Sequence, residues 1–275
     1  MKLVLTSAAW IGLAVSTGGV PLLAQLQNNS EKQMTCSNGG YDRDRARHCE
    51  IREQSLPSIG RLNVDAGPNG GATVKGWLRG DVLVRARVEA SGETEGAAAN
   101  LASRVTIDSS GGQVRATGPE RSDNSSWSVS YEIFVPQVTD VTLKTHNGGL
   151  KISDVRGQIH FDAVNGGVNL ARVAGEVTGA TVNGGINVEL AGTIGDWRQM
   201  ELSTHNGGVT VAMPSQYSAR IQAETGMGRI QSDFPLPSNI DRRAGRLDFN
   251  IGAGGPPIHI TTGNGGIRLK RTESQ

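Results

Sequence analysis

The sequence predicts an all-β fold: a single-stranded β-solenoid, or β-helix-like repeat stack, with a more irregular β cap at its N-terminal end. A motif of the form Thr-x-Asn-Gly-Gly-aliphatic-x-aliphatic recurs between residues 141 and 269. Apolar residues alternate on both sides of each motif, as they do in strands with one buried face. Glycine supplies 38 of the 275 residues and aromatic residues only 4%. This composition suits a repetitive β protein with many turns.

The motif copies are centred on five asparagines and one methionine. In chain order these residues are Asn147, Asn165, Asn183, Asn206, Met227 and Asn264. The first three are spaced by 18 residues, whereas the later spacings of 23, 21 and 37 indicate insertions between units. Each unit is predicted to be a strand, a sharp Asn-Gly-Gly corner and a second strand, with glycine supplying the positive φ of the corner. The five asparagines are therefore predicted to be structural corner residues.

An antiparallel meander sandwich is the alternative architecture. Asn-Gly between two alternating runs is a strong signal for a hairpin turn, which would reverse the chain at each motif. The stacked arrangement is favoured because every inward position keeps its chemical type from copy to copy, for example Thr145, Thr181 and Thr204. Stacking of like on like, with ladders of threonine and asparagine, requires this regularity.

The N-terminal segments indicate export. Residues 1–24 read as a signal peptide, with Lys2 before a short apolar stretch and Ala24 as a cleavage point. A retained membrane anchor is the alternative. In an oxidising compartment the only two cysteines, Cys36 and Cys49, are predicted to form a disulfide that closes the segment 25–57.

The remaining regions follow from the same patterns. Residues 58–138 are predicted to form an irregular β region or cap, because terminal repeats must shield the open edge of a stack. Within it, residues 91–100 are small and polar and are expected to form a loop. Residues 139–270 form the predicted repeat, with insertions at 191–199 and 233–255. Residues 271–275 are a polar tail.

No catalytic, metal or cofactor site is predicted. His146 and His205 occupy the same place in their units, but the units between them carry valine there. His160 stands beside Asp162, which is a general-base arrangement, yet no nucleophile accompanies the pair in the sequence. Calcium-binding repeats need an aspartate that no copy contains. The formal net charge of +1 argues against a nucleic-acid partner.

The predicted contact surface consists of outward residues along the regular units. They are Lys144, Lys151, His160, Asp162, Asn169, Glu176 and Asn187. The expected partner is a cell-surface or envelope component, either protein or glycan, and the membrane is contacted only through the export signal. A β-helical polysaccharide-acting enzyme remains an alternative, although the outward positions offer no convincing pair of carboxylates. A periplasmic sensor partner is a third reading.

The signal peptide followed by T-x-N-G-G-[LIV]-x-[LIV] repeats resembles the bacterial putative-adhesin family, a domain of unknown function. The resemblance spans residues 59–269 and is strongest from residue 141 onward. It implies an exported all-β repeat protein that acts as a non-catalytic, adhesin-like binding or scaffold module at the cell envelope. The family supplies no catalytic residues, and the Cys36–Cys49 loop lies outside its pattern.

Overall fold

The computed structural model describes residues 34–36, 41–42, 45–122, 124–190, 197–237 and 245–272. Within these residues the chain forms twenty strands and one helix in a curled mixed sheet, so the all-β prediction is confirmed. The predicted signal peptide lies outside the described residues. The helix is α1 (Glu95–Ser103). The strands are β1 (Tyr41–Asp42), β2 (Arg45–Pro57), β3 (Arg61–Asp65), β4 (Ala72–Trp77), β5 (Asp81–Gly92), β6 (Thr106–Asp108), β7 (Gln113–Thr117), β8 (Ser126–Pro136), β9 (Asp140–Asn147), β10 (Leu150–Ser153), β11 (Arg156–Asn165), β12 (Val168–Asn183), β13 (Ile186–Leu190), β14 (Trp197–Asn206), β15 (Val209–Pro214), β16 (Ala219–Met227), β17 (Ile230–Ser232), β18 (Arg246–Ile251), β19 (Pro257–Asn264) and β20 (Ile267–Thr272).

The strands pair into two ladders that meet at the Asn-Gly-Gly corners. Strands that lead into a corner, together with β6, β7 and β18 at the edges, form the inbound ladder, in the order β6-β7-β3-β9-β11-β12-β14-β19-β16-β18. Strands that leave a corner, together with β1, β2, β5 and β8 at the N-terminal end, form the outbound ladder, in the order β1-β2-β5-β8-β4-β10-β12-β13-β15-β20-β17. The long strand β12 belongs to both, through its two halves. We call the two strands that flank one corner a rung.

Neighbouring rungs are parallel and in register. Asn147 pairs with Asn165, and Asn165 pairs with Asn183, so equivalent residues of successive copies lie side by side. The meander alternative is therefore wrong for the repeats, because the chain does not reverse at the glycines. Inward residues of both ladders share one hydrophobic core. Register also explains one inward glycine, because a Cβ at Gly179 would lie 2.5 Å from the ring of Phe161.

A row of side-chain amides runs along the corners. Each asparagine donates from Nδ2 to the Oδ1 of the preceding rung, at 2.8 Å for both the Asn165–Asn147 and the Asn183–Asn165 pairs. The row continues at 2.8 Å through Asn206 and Asn264, and it begins at Asn69. Buried threonine hydroxyls two residues earlier donate to glycine carbonyls of the neighbouring corners. These bonds satisfy polar groups that the tight corners leave without backbone partners.

The corner glycines are needed because stacked backbones approach closely, and not because the corner requires a positive φ, as the sequence predicted. The glycines with positive φ include Gly157 and Gly175, but none of those that follow the corner asparagines. Instead, the first glycine of each regular corner lies against the backbone of the preceding corner. A Cβ at Gly166 would lie 1.8 Å from the carbonyl oxygen of Gly148, whereas a Cβ at Gly167 would meet its nearest atom at 3.6 Å. The close approach of stacked backbones therefore fixes the glycine.

The rungs do not stack in chain order. Asn206 pairs with Asn264, and Asn264 pairs with Met227 on its other side. The degenerate copy, β16 and β17, is thus the outermost of the repeat, and the rung of β19 and β20 is inserted between it and β14–β15. The antiparallel strand β18 then covers the edge of β16 in the inbound ladder. The predicted insertion 233–255 contains this covering strand.

The N-terminal part continues the same ladders and adds antiparallel strands. β3 and β4 flank Asn69 and stack on the first regular rung. β8 pairs parallel with β4, and β5 and β2 then extend the outbound ladder by antiparallel pairing. The loop expected at residues 91–100 is wrong, because β5 runs to Gly92 and α1 begins at Glu95. Thr94 caps the helix by accepting from the N–H of Ala97 at 3.1 Å.

Two further contacts hold the N-terminal elements together. The predicted disulfide between Cys36 and Cys49 is present, with Cα atoms 5.6 Å apart. Arg52 of β2 donates to the carbonyl oxygen of Ala102 at 2.9 Å and to that of Val105, which ties β2 to the end of α1. Such bonds satisfy carbonyls that a helix end leaves without intrahelical partners. Across the described part of the chain, no helix has the length and apolar character needed to cross a membrane.

Candidate binding faces

The predicted contact residues lie on two separate surfaces. Lys144, His160, Asp162 and Glu176 are on the outward side of the inbound ladder. Lys151, Asn169 and Asn187 are on the outward side of the outbound ladder. Alternation places them there: all but Glu176 stand between two buried residues of their own strand, and Glu176 precedes the buried Val177. The structure therefore offers two candidate faces rather than one.

On the inbound face, His160 connects two other side chains. Its Nδ1 lies 3.1 Å from the Oγ1 of Thr178, and its Nε2 lies 3.2 Å from the Oδ2 of Asp162. Thr178 stands next to His160 because β11 and β12 pair in register. The sequence placed Thr178 in one outward row with Lys144 and Asp162, whereas the structure pairs it with His160 and pairs Asp162 with Ala180. The 18-residue spacing of the repeat was the signal that could have placed Thr178 beside His160.

This carboxylate, imidazole and hydroxyl set has the order found in nucleophilic sites. Two features separate it from such a site. The side chains of His160 and Asp162 are 46% and 51% exposed on an open strand face. Both β11 and β12 are also paired on each side, so their backbone N–H groups are committed to the ladder and cannot stabilise an oxyanion. The set can accept and donate hydrogen bonds to a ligand.

The outbound face carries a short row of amides. Lys151, Asn169 and Asn187 lie in register on β10, β12 and β13. The Nδ2 of Asn187 donates to the Oδ1 of Asn169 at 3.2 Å. All three side chains are exposed. Such a row presents donors and acceptors at the strand spacing of about 4.8 Å.

A shallow groove of about 430 Å³ lies where the inbound strands begin. It is lined by Asp140, Arg156, Gly157, Gln158, Gly175, Glu176 and Arg198. The Oδ1 of Asp140 accepts from the backbone N–H of Gln158 at 2.8 Å, and the Oε1 of Glu176 accepts from Gln199 at 3.0 Å. The groove thus combines two carboxylates with two guanidinium groups, and sequence reasoning identified only Glu176 among them.

A second, more open groove of about 490 Å³ lies beside the corners and includes His205. His205 precedes Asn206 and His146 precedes Asn147, and two rungs separate those two corners. The two histidines therefore do not meet, as the sequence predicted. Among the described residues, no group of three or more histidine, cysteine, aspartate or glutamate side chains is arranged to hold a metal ion.

An ion pair between Arg220 and Asp248 lies at the edge of the inbound ladder, where β18 covers β16. Arg220 of β16 donates to both carboxylate oxygens of Asp248 on β18, at 3.1 and 2.9 Å. This hydrogen-bonded pair holds the pKa of Asp248 below its usual value. Sequence reasoning did not predict this pair, because β18 lies within a segment treated as an insertion.

An outward aromatic pair was also missed. The rings of Trp77 and Phe134 stack with centroids 5.3 Å apart. Arg79 lies over Trp77 at 4.4 Å, and Lys75 and Arg85 lie over Phe134 at 5.5 and 5.4 Å. Because cations and the neighbouring ring already cover these ring faces, we interpret the cluster as packing on the sheet surface rather than as an open platform for a ligand.

No family profile matches the chain, and no curated protein is detectably similar in sequence. Among solved structures, the chain is similar to a putative cell adhesion protein from Clostridium sporogenes, with a TM-score of 0.43 and 14% identity over 82% of this chain and 100% of that one. It is similar to a putative adhesin from Bacteroides fragilis, with a TM-score of 0.29 and 11% identity over 81% and 97% of the two chains. A putative lipid binding protein from Parabacteroides distasonis gives a TM-score of 0.27 and 10% identity over 80% and 96%.

Proposed function

We propose that the protein is an exported, non-catalytic, adhesin-like binding or scaffold module of the bacterial cell envelope. Residues 1–24 act as the signal peptide, and residues 25–57 form the disulfide-closed segment. Residues 58–138 are the irregular β cap of a β-solenoid formed by residues 139–270, and residues 271–275 are the tail. The parallel, in-register rungs described above support the solenoid, and the Cys36–Cys49 disulfide supports export to an oxidising compartment.

One observation carries the binding role: outward polar side chains recur in register on rungs that are fixed by the corner amides. Neighbouring rungs are about 4.8 Å apart, so each outward row is a regular array of polar groups. A surface held in this way is already ordered before it binds, which lowers the entropic cost of association. Lys144, His160, Asp162 and Glu176 form one proposed contact face, and Lys151, Asn169 and Asn187 form the other.

The chemistry of these rows indicates the kind of partner. Amides, hydroxyls and single charges of both signs are suited to hydrogen bonding with a glycan or a polar protein surface. We therefore propose a cell-surface or envelope component as the partner. The balanced charge gives no support for nucleic acid, since binding to a phosphate backbone needs a basic surface.

Binding by the mature chain to intact bacterial cells and to a glycan array tests this proposal. The variants Lys144→Glu with His160→Ala, and Asn169→Ala with Asn187→Ala, each alter one face. We expect one pair to abolish binding and the other to leave it unchanged. Arg104→Glu, beside α1 and away from both faces, is the control. Binding that survives both pairs of substitutions would show that neither face is used.

A polysaccharide-acting enzyme is the second candidate, and one observation favours it. Asp140 and Glu176 line the same groove and are two rungs apart, which is roughly 10 Å along the ladder. Inverting glycosidases separate their two carboxyl groups by about 6.5–9.5 Å. Reducing ends released from a polysaccharide panel, and lost in Glu176→Gln, would replace the non-catalytic proposal. We expect no release.

A further inference from the structure

The rung formed by β19 and β20 differs from the other repeat rungs in how the chain reaches it. Asn264 donates to Asn206, although the two residues are 58 positions apart. Elsewhere in the repeat, paired asparagines are 18 or 23 positions apart. Between these two rungs the chain first builds β16, β17 and β18, which lie beyond the position that β19 and β20 occupy. We call residues 257–272 the inserted arm.

The inserted arm fills a slot with two walls. One wall is β14 and β15, and the other is β16 and β17. On the first wall, Thr262 donates to the carbonyl oxygen of Gly207 and the N–H of Gly207 donates to the carbonyl oxygen of Asn264. On the second wall, the N–H of Gly265 donates to the backbone carbonyl oxygen of Met227.

Without the arm, both walls would expose unpaired backbone groups. Such open strand edges recruit another strand. The inward side chains of the arm would also be lost from the core, because Ile258, Ile260, Ile267 and Leu269 are at most 3% exposed. The slot must therefore be filled by a strand pair that has the alternation, the corner and the corner amide of a rung.

The link that precedes the arm is rich in glycine. Residues 252–256 read Gly-Ala-Gly-Gly-Pro, and Gly252 and Gly254 have φ values of +58° and +77°. Glycine has more accessible backbone conformations than other residues, so a second path through the link has to break only local hydrogen bonds. These are the bonds from the N–H of Ala253 to the Oγ of Ser218 at 3.2 Å and from the N–H of Gly254 to the carbonyl oxygen of Ile251 at 3.1 Å. A link of this kind can act as a hinge, and a second path through it would send the arm away from its own slot.

We propose that the inserted arm is exchangeable, so that the arm of one copy seats in the slot of a second copy of this chain. The second copy is the occupant that fits, because its arm reproduces every hydrogen bond and every buried side chain of the original. Exchange of an identical element between copies leaves the contacts unchanged, and the balance then depends on the hinge and on protein concentration. The long separation between arm and slot slows the intramolecular seating, which gives a second copy time to compete.

Variants of the full chain that each carry one added cysteine, with the Cys36–Cys49 disulfide kept intact, test the exchange directly. Ser203 and Thr261 are in register on β14 and β19, on the outward side. Adjacent strands bring such Cα atoms within disulfide range. Ser203→Cys and Thr261→Cys are placed in separate chains, mixed, unfolded in denaturant at acidic pH to suppress thiol exchange, refolded together and then oxidised. We expect a covalent heterodimer whose yield rises with protein concentration.

The matched control replaces Thr261→Cys by Arg268→Cys. Arg268 is exposed on the same arm but is in register with Thr210 on the other ladder, so it cannot reach residue 203. A heterodimer yield that is the same for both pairs, at every concentration, would overturn the proposal. Mixing the two chains after each has folded should give far less heterodimer, since each slot is then already occupied.

Two further variants separate exchange from other ways of closing the slot. Deleting Ala253 and Gly254 shortens the hinge and should raise the dimer fraction in size-exclusion chromatography, because a short link hinders seating in the same chain. A chain with both Ser203→Cys and Glu224→Cys tests whether β16 can pair directly with β14. Thr261 of the arm separates these two positions in the native fold, so a disulfide between them can form only when the arm has left the slot. An internal disulfide there, with no dimer from the shortened chain, would mean that the slot closes without exchange.

Discussion

At the scale of single residues, the corner asparagines have unequal roles. Asn165 both donates to Asn147 and accepts from Asn183. Asn264 donates to Asn206, but the next rung carries Met227, so the row of amides stops there. The sequence identified Met227 as the exception among the six corner residues, but it did not show that the rung of Met227 lies beyond that of Asn264.

Asn165→Ala should therefore be more destabilising than Asn264→Ala. Each exposed hydrogen bond contributes about 0.5–1.5 kcal/mol. We expect Asn165→Ala to lower the free energy of unfolding by roughly 1–3 kcal/mol, and Asn264→Ala by about half as much. Urea denaturation of the three proteins measures both values. Equal losses would mean that the row does not act as a chain of paired amides.

The two corner glycines can be distinguished in the same way. A Cβ at Gly166 would lie 1.8 Å from a carbonyl oxygen of the neighbouring backbone, whereas at Gly167 the nearest atom is 3.6 Å away. Gly166→Ala should lower the free energy of unfolding by several kcal/mol, or prevent folding, since overpacking alone costs about 1–3 kcal/mol. Gly167→Ala is the control and should cost less than about 1 kcal/mol. Thermal unfolding of the two variants measures both losses of stability. Similar losses would mean that backbone conformation, and not close approach of the neighbouring backbone, requires glycine at both positions.

At the scale of elements, the strands of the repeat could be predicted and the elements between them could not. Alternation and the corner motif identified the inward residues, and the parallel register followed from their constant chemical type. Helix α1 was missed because its nine residues have a weak pattern, with only Ala98, Leu101 and Ala102 buried. The Thr94 cap followed by Glu95 was the available signal.

The position of the inserted arm could not be read from the sequence for a different reason. Every rung presents the same alternation, so similarity between copies cannot say which rung lies beside which. Only the pairing of Asn264 with both Asn206 and Met227 reveals the order. The candidate faces were predicted in part, because alternation gave the outward residues, whereas the expected row of Lys144, Asp162 and Thr178 differs from the observed pairing of Thr178 with His160.

The contact between β2 and α1 should respond to pH. Hydrogen bonding from Arg52 holds the pKa of Glu50 below its usual value of 4.5. A lowered pKa means that ionised Glu50 stabilises the fold above about pH 4.5, and that this contribution is lost as the pH falls through the folded-state value. Because the side chain is 37% exposed, we expect an effect below about 1 kcal/mol.

Glu50→Gln isolates this effect from that of the other carboxylates. At pH 7 the variant should be less stable than the original chain, and the gap should close as the pH is lowered towards 3. Urea denaturation at several pH values gives the comparison. A gap that is constant with pH would contradict the assignment to the ionised carboxylate.

At the scale of the whole molecule, stability should vary along the stack. Strands in the middle, such as β11 and β12, are paired on both sides. Within the described chain, β17 pairs only with β20 and β6 pairs only with β7. Structure at an edge can open without disturbing the rest, as happens in other stacked repeats.

Amide hydrogen exchange measured by mass spectrometry should follow this order. Peptides from β11 and β12 should exchange most slowly, and those from β6 and β17 should exchange fastest. Thr225→Ala, which removes a hydroxyl that donates to Gly265, should speed exchange in β17 more than in β11. Uniform protection from one end to the other would mean that the chain opens only as a single cooperative unit.

Each rung donates from its corner amide on one side and accepts on the other, and this complementarity has a consequence for how such a protein can change in length. After each 18-residue segment, from Asn147 to Asn165 and from Asn165 to Asn183, the backbone occupies the equivalent position on the next rung. Duplication of one such segment in the gene would add a level in the middle while leaving both ends, and the surfaces that seal them, untouched. We therefore expect evolution to vary the height of this architecture in whole units, with insertions of other lengths confined to the loops between strands.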